Sequence, residues 1–373
     1  MPALPELCLP SSRRFDGSIR QFKGPHQPVY AMSIQLHDYF SREISLPSVG
    51  QEGLRKLQES SVAIIGAGGV GSAAAYYLAR SGIGHLKVID QDIVESTNLQ
   101  RLQAATMNDL YRPKAEVIAD RLSEVAEWCE IEPIIETVTD RNADGFLRDV
   151  DLIFDGLDNF RTRYILNKSA IRNGTPYLFT SAIADQAHLA LLNPPDTACL
   201  ECIMPRVIDR FEESCETLGV SPSITGLIGA LGTGVGVRFL LGNPDQWSDK
   251  LLTLDMAGPE FMFSKLAKRQ DCDGCRNGNT ENPRPDRLVT FLCGEHTANV
   301  LPPEDLTVEL SKIAKKIPSE RILMSTASVL VYGHEGFTVS LFRNGRFLIG
   351  GVENENQASK MAREISRYVG LET

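Results

Sequence analysis

The chain has 373 residues, 42% hydrophobic and 23% charged, with 38 basic against 48 acidic side chains and a formal net charge of −10. That composition suits a large globular α/β domain with a smaller companion. An acidic balance without long Lys/Arg runs leaves no electrostatic footprint for nucleic acid or an anionic membrane surface. The longest apolar stretch, Ile224 to Gly242, holds Thr225, Thr233, Arg238 and six glycines, and nothing reads as a signal peptide, so a cytoplasmic protein is expected. Two of the eight cysteine positions begin C-x-x-C pairs, which in a reducing compartment favour metal binding over disulfides.

Residues 1–35 carry prolines, arginines and serines without apolar periodicity and read as a flexible tail, with Met32 a candidate alternative start where patterned sequence begins. From Ser61 the chain becomes regular: an apolar run SVAII, a glycine turn, an Ala-rich helix from Val70 to Ser81, and a second apolar run, HLKVID, ending at Asp90. A helix after Pro113, a strand-like run from Ile131 to Val138, VDLIFD ending at Asp155, a helix from Arg161 to Arg172 and the strand TPYLFTSAI continue the alternation. This predicts a doubly wound, mostly parallel, Rossmann-like sheet covered on both faces.

After Leu192 the alternation breaks into a proline-containing crossover with three cysteines, followed by a Gly/Ala-rich helix from Ile224. RNGNTENPRPD past Cys275 reads as a linker. The β-rich run SVLVYGHEGFTVSLFRNGRFLIGG, with turn signals at Gly333–Gly336 and Asn344-Gly345, precedes a helix from Gln357 to Val369. The expected domains are therefore 36–285, carrying the chemistry, and 286–373, a small α+β domain.

Gly66-Ala67-Gly68-Gly69-Val70-Gly71 fits G-x-G-x-x-G between a strand and a helix, where the backbone approaches phosphate or ribose closely and the helix N-terminus favours anions. Asp90, nineteen residues past Gly71, is placed to accept ribose hydroxyls. Alone, these features point to a dinucleotide cofactor. The loops that follow do not: Asn98, Arg101, Arg112, Lys114, Asp155 and Asp158 put cations and carboxylates after successive strands, at one sheet edge. Cations suit triphosphate oxygens and a leaving pyrophosphate, and a carboxylate can hold magnesium against them. A single loop Arg or Lys is ordinarily a solvated charge; the run at consecutive strand ends carries the signal.

Cys199-Leu-Glu-Cys202 and Cys272-Asp-Gly-Cys275 have 69 residues between them, and four such thiolates make a closed, structural zinc site clamping the crossover to the end of the domain. Cys129, at a helix end, and Cys8 and Cys293 have no comparable context.

YFSREISLPSVGQEGLRKLQESSVAIIGAGGVGSAAAYYLARSGIGHLKVIDQDIVESTNLQRL, with RPKAEV and DGLDN, resembles the superfamily of ubiquitin-activating enzymes and the molybdopterin- and thiamine-pathway sulfur-carrier adenylyltransferases, over Tyr39 to Cys275. The resemblance implies that Gly66, Gly68, Gly69 and Gly71 line an ATP site, with Asp90 on the ribose, Asn98, Arg101 and Lys114 on the phosphates, and Asp158 on magnesium. It also implies zinc at the four paired cysteines, and a homodimer in which Arg42 reaches the neighbouring subunit's phosphates. Many relatives carry a second basic residue where this chain has Tyr39, which leaves that contribution to Arg42. Cys215, in C-x-x-x-G-V, stands where the family keeps its nucleophilic cysteine.

The function so implied is adenylation of the C-terminal glycine of a ubiquitin-like protein ending in Gly-Gly, with transfer to Cys215 as a thioester and then to a conjugating enzyme. The alternative is sulfur-carrier adenylation for molybdopterin, thiamine or tRNA thiolation. The C-terminal domain stands where ubiquitin-activating enzymes keep a ubiquitin-fold module, which favours the first, although related domains also follow sulfur-carrier adenylyltransferases. The last 86 residues carry little of a rhodanese pattern. An NAD-dependent oxidoreductase would explain the glycines and Asp90 but not Arg101, Lys114 and the four cysteines together. Intact Arg101 and Asp158 speak against a scaffold without chemistry.

Overall fold

The computed structural model describes residues 36–205, 207–209, 217–244, 246–276, 289–292, 296–302 and 306–371. The expected tail, the linker over 277–286, Cys8, Cys215 and Cys293 lie outside them. The chain divides into two compact units, Met1–Ser41 and Arg42–Thr373, and in the first the described residues form a one-turn helix, α1 (Leu36–Tyr39).

The short α2 (Ser41–Ile44) starts at the last residue of the first unit; the second continues with α3 (Gly50–Gln58), then winds through β1 (Ser61–Ile65), α4 (Gly69–Arg80), β2 (His85–Ile89), α5 (Lys114–Ser123), β3 (Glu130–Ile134), α6 (Ala143–Phe146), β4 (Leu152–Asp155), α7 (Phe160–Asn173) and β5 (Tyr177–Ile183). It continues with β6 (Gln186–Leu192), α8 (Leu200–Ile203), α9 (Pro222–Leu240), β7 (Lys250–Asp255), β8 (Glu260–Lys265) and α10 (Asp273–Arg276). These strands make an eight-stranded sheet in the order β3-β2-β1-β4-β5-β6-β7-β8. Pairing is parallel from β3 to β5 and antiparallel from β5 to β8.

Each parallel strand's place follows from its side chains. SVAII in β1 is buried throughout, as a central strand covered on both faces must be. EIEPI in β3 is mostly exposed, and Pro133 is tolerated because β3 is an edge. One face of the sheet packs Val62, Ile64, Leu152, Phe154 and Leu178 against α4, α5 and α9; the other packs Ala63, Ile65, Ile153, Tyr177 and Phe179 against α6 and α7. Doubly wound cover is thus present. Caps define α7: Asn159 Oδ1 accepts the Thr162 N–H at 2.9 Å, and Gly174 closes the helix at φ +64°.

By length and composition α9 could cross a membrane, but it is a core helix. Its small residues bring it onto the sheet: a Cβ on Gly232 would lie 2.8 Å from the Phe154 ring, and one on Gly236 2.8 Å from Leu152. The hairpin β7–β8 escapes the periodicity reading because β8 has no buried face; Phe261, Met262 and Phe263 are all exposed.

The remaining strands, β9 (Val289–Leu292), β10 (Thr297–Val300), β11 (Ile322–Ser325), β12 (Val329–His334), β13 (Phe337–Phe342) and β14 (Phe347–Gly350), form a second sheet in the order β11-β12-β13-β14-β10-β9. Helices α11 (Leu310–Ala314) and α12 (Glu355–Val369) share its core. Every pairing in it is antiparallel, which lends no support to a ubiquitin-fold module. Its other face meets the first sheet's loops through an apolar seam of Ile93, Val329, Val331, Phe342 and Leu348.

Candidate functional site

Strand order reverses between β1 and β4, and at such a switch point an open α/β sheet leaves a crevice outside its carboxyl ends. The glycine turn between β1 and α4 forms one wall. Gly66 adopts φ +91° and its carbonyl is wedged against the backbone: a Cβ would lie 1.8 Å from that oxygen if placed on Gly71 and 2.3 Å if placed on Gly156. Gly66 and Gly71 therefore serve close backbone packing. Gly69 faces Thr225 of α9, where a Cβ would meet the side chain at 3.0 Å. Around Gly68 a Cβ would meet nothing within 4 Å, and Gly68 caps α4 without a side-chain hydrogen bond. The open, uncapped helix N-terminus beside Gly68 is the part of the turn that can receive an anion.

Asp90 closes the second wall. Its Oδ2 accepts the Ala67 N–H at 2.6 Å and its Oδ1 the Asp92 N–H at 2.7 Å, so the carboxylate is tied to the glycine turn while each oxygen keeps a lone pair. Burial pushes Asp90 up to about 6, although Lys114 pulls it back. Lys114 opens α5 after Pro113. Two antiparallel hydrogen bonds, Val94 N–H to Arg112 O and Tyr111 N–H to Val94 O, both 2.8 Å, swing it back to β2, where its Nζ lies 3.2 Å from Asp92 Oδ2. Asp92 Oδ1 is buried with no hydrogen-bond partner among the described residues, a position a ligand hydroxyl would satisfy.

Asn98 is buried in a turn: its carbonyl accepts the Arg101 N–H at 3.0 Å, and the Arg101 guanidinium folds back onto the Thr97 carbonyl at 3.0 Å. Two residues on, the Gln103 N–H reaches Ser72 Oγ in the first turn of α4 at 3.4 Å, which brings this loop to the helix N-terminus.

Asp158 stands exposed beyond β4, one oxygen accepting Asn159 Nδ2 at 3.1 Å. What holds its loop was not legible in the sequence. Asp155, fully buried, accepts Arg163 Nε at 3.0 Å, Tyr177 OH at 2.7 Å and the Leu157 N–H at 2.9 Å. Arg163 also donates to the Leu157 and Thr180 carbonyls. An arginine in a helix gave no warning of this burial, because its acceptors come from two strands and a loop. Asp209 was missed as well. Its carboxylate accepts the Phe160 and Arg161 N–H groups at 2.7 and 3.0 Å, fixing the start of the crossover to the N-terminus of α7 beside Asp158.

The four paired cysteines converge, with all sulfurs within 4.8 Å of one another. Sγ–Sγ distances are 3.9 Å for Cys199–Cys202, 3.6 Å for Cys199–Cys272 and 3.5 Å for Cys202–Cys275. A tetrahedron with metal–sulfur bonds of about 2.3 Å has edges of about 3.8 Å, so the set fits zinc. Burial pushes the Cys199 thiol well up, a shift that binding a dication as thiolate reverses. Cys129 lies buried in the turn before β3 rather than at a helix end, and burial pushes its thiol up to about 12. The structure thus gathers Gly68, Asp90 and Lys114, with Asn98, Arg101 and Asp158 on neighbouring loops of the same edge. Arg42 is exposed in α2 and has no hydrogen-bond partner among the described residues.

Residues 40–277 match the ThiF family. Among curated proteins, the Culex quinquefasciatus "Adenylyltransferase and sulfurtransferase MOCS3" is 33% identical over 68% of this chain and 57% of its own length. The chain thus spans little more than half of that relative. A Thermus thermophilus "Sulfur carrier protein adenylyltransferase" is 32% identical over 69% of this chain and 96% of its own. Among solved structures, Escherichia coli MccB with MccA-N7isoASN superposes with a TM-score of 0.56 at 21% identity, covering 65% of this chain and 75% of that one, a likeness of fold.

Arg163→Met leaves Asp155 buried without its cation and is expected to lower stability by about 3–5 kcal/mol, read from urea unfolding. A loss below about 1 kcal/mol would mean that Tyr177 and the Leu157 N–H satisfy the carboxylate by themselves.

Proposed function

This chain belongs to the ThiF family, and from that premise we propose that it is an ATP-dependent adenylyltransferase acting on the C-terminal carboxylate of a ubiquitin-fold protein ending in Gly-Gly. The observation that carries the reading is the convergence, at one switch point, of an uncapped helix N-terminus beside Gly68, the Asp90 carboxylate and the Lys114 ammonium. These suit triphosphate and ribose together. A nicotinamide oxidoreductase has no use for the Lys114 and Arg101 cations on the adjoining loops.

In this reading Asp90 accepts a ribose hydroxyl, the α4 N-terminus and Lys114 hold phosphate, and Asn98 and Arg101 carry the β- and γ-phosphates. Asp158, an exposed oxygen donor at the same edge, would hold magnesium, which neutralises phosphate charge when bound. A carboxylate oxygen of the terminal glycine attacks the α-phosphorus; its bond to the bridging oxygen breaks, and pyrophosphate leaves with that electron pair. Positioning and charge neutralisation supply the rate, and no protein nucleophile is required. Arg42, without a partner of its own among the described residues, is assigned to a neighbouring subunit's phosphates in a homodimer. The four cysteines hold zinc and clamp α8 to α10.

The sulfur-carrier branch is favoured for the second step, because both curated relatives bear names of that chemistry and the antiparallel C-terminal sheet gives no support to a ubiquitin-fold recruiter. Cys215, six residues past the Asp209 anchor, is then the nucleophile that either takes the acyl group from the adenylate, releasing AMP, or takes the outer sulfur of a persulfide donor, which leaves as a thiol. A conjugating enzyme belongs to the thioester route. The reduced cysteine cluster suits the cytoplasm.

Exchange of labelled pyrophosphate into ATP, dependent on a ubiquitin-fold protein ending in Gly-Gly, is the expected activity. Asp158→Ala should abolish it in a folded protein, whereas Cys215→Ala should retain exchange and lose any covalent adduct. Near-normal exchange by Asp158→Ala would remove Asp158 from the magnesium site.

Because Asp90 titrates near 6 through burial, it is protonated below that pH and loses an acceptor lone pair. ATP affinity should therefore fall as pH drops from 7 to 5, approaching about tenfold per unit below the transition. Calorimetric titration checks this, and Asp90→Asn should bind weakly with the dependence gone.

One zinc per chain is expected by metal analysis. Cys272→Ser should lose most of it and melt several degrees lower. Unchanged zinc content would exclude Cys272 as a ligand.

A further inference from the structure

Arg346 is the largest fully buried side chain of the molecule's described residues, although it sits in the tight turn between β13 and β14, at the rim of the second sheet. The turn is shaped to deliver it. Gly345 takes φ +81°, the Phe342 N–H bonds the Arg346 carbonyl at 2.9 Å, and the guanidinium stacks 3.8 Å over the Phe342 ring. From there it leaves its own domain: Nη2 donates to the main-chain carbonyl of Gln91, the residue between Asp90 and Asp92, and Nη1 lies 3.3 Å from Asn299 Oδ1.

The Gln91 side chain is held from the same side. Its Oε1 accepts Thr137 Oγ1 at 2.9 Å and Asn299 Nδ2 at 3.4 Å, and Asn299 Nδ2 also donates to Thr137 Oγ1 at 3.0 Å. Both ends of Gln91 are therefore fixed by groups that include two residues of the second sheet. On its front, the same segment presents Asp90 to the Ala67 N–H and to the crevice.

Burying a guanidinium costs several kcal/mol unless nearby groups compensate, and a methionine would cover the same Phe342 ring without that cost. The compensation comes from the site. Burial pulls Arg346 down to about 10, and Asp92, Asp90 and Glu136 are the charges that hold it up. The cation is thus stabilised by the carboxylates that follow β2 and β3.

We propose that Arg346 is a positioning residue of the nucleotide site: by clamping the Gln91 carbonyl it fixes the Asp90 carboxylate in the orientation that reads the ribose, so that the small C-terminal domain takes part in nucleotide recognition. This rests on the assignment of Asp90 to ribose under the proposed function. Arg346 touches no nucleotide atom itself. Its effect passes through two main-chain links, and it acts on the sugar rather than on the phosphates, which Lys114 and the α4 N-terminus serve.

The test uses the full chain and calorimetric titration of ATP, 2′-deoxy-ATP and 3′-deoxy-ATP with magnesium, on wild type, Asp90→Asn and Arg346→Met. Wild type should prefer ATP over at least one deoxy analogue. Asp90→Asn should erase that preference, and Arg346→Met should weaken ATP binding roughly tenfold, the effect of one lost hydrogen bond to a charged group, while bringing the ATP-to-deoxy ratio toward one. Mere loosening of the fold would weaken all three nucleotides alike and leave the ratio untouched. Should Arg346→Met fail to fold, Asn299→Leu and Thr137→Val remove the other struts of Gln91 and should lower the same ratio. A folded Arg346→Met, or in its place a folded Asn299→Leu, with an unchanged ratio overturns the proposal if Asp90→Asn has lost the preference. If Asp90→Asn keeps the preference, the ribose assignment fails and takes the proposal with it.

Discussion

The Gly66 carbonyl is the point on which the site is built. It sits between the backbones of Gly71 and Gly156 so tightly that no Cβ can stand at either position. That contact fixes the first turn of α4 against the end of β4, and hydrogen bonds of 2.8 Å from the Gly66 N–H to Ile89 O and from the Gly156 N–H to Ile65 O extend the ladder to both neighbouring strands. The groups of the candidate site are placed relative to it. Asp90 is tied to the turn through Ala67, Asp158 follows Gly156 by two residues, and α9 reaches the turn through Thr225 and Gly69.

Around this rigid backbone lie buried charges, each with named partners. Asp155 and Arg163 support the loop that presents Asp158; Asp92 and Lys114 support the end of β2; Arg346 stands behind Gln91. Buried ion pairs are poor sources of net stability, since desolvation cancels most of the Coulombic gain. Their use here is geometric. Each places a charged or hydrogen-bonding group at the crevice with little freedom left to lose when a ligand arrives, which is the condition under which electrostatic stabilisation acts without reorganisation.

Two further ties connect distant stretches of chain to that edge. The cysteine cluster joins α8 to α10, and Asp209 is bound to the N-terminus of α7, with the Val207 N–H bonded to Tyr164 OH at 2.8 Å. On the other flank, the second sheet meets the first sheet's loops through apolar side chains, and Ser328, in the turn between β11 and β12, donates a hydrogen bond to Glu116 of α5. The small domain is thereby part of the wall behind β2.

The sequence by itself determined most of the elements of the parallel half of the first sheet and named the candidate site residues. Strand, glycine turn and helix recur with periods that follow from burial on two faces. The G-x-G-x-x-G run, Asp90, Lys114 and the two C-x-x-C pairs announce themselves because their residue types and spacings are local. Local patterns end where a side chain's partners are remote. β8 was illegible because an edge strand without a buried face has no alternation to read, and Arg163 and Asp209 because their acceptors and donors come from other elements. Which glycine is left open to a ligand was decided by packing: Gly66, Gly69 and Gly71 face protein, and Gly68 faces space. Arg346 lies 255 residues from the carbonyl it holds, and only the docking of one sheet on the other brings them together, since no periodicity along a chain encodes a contact made across two domains.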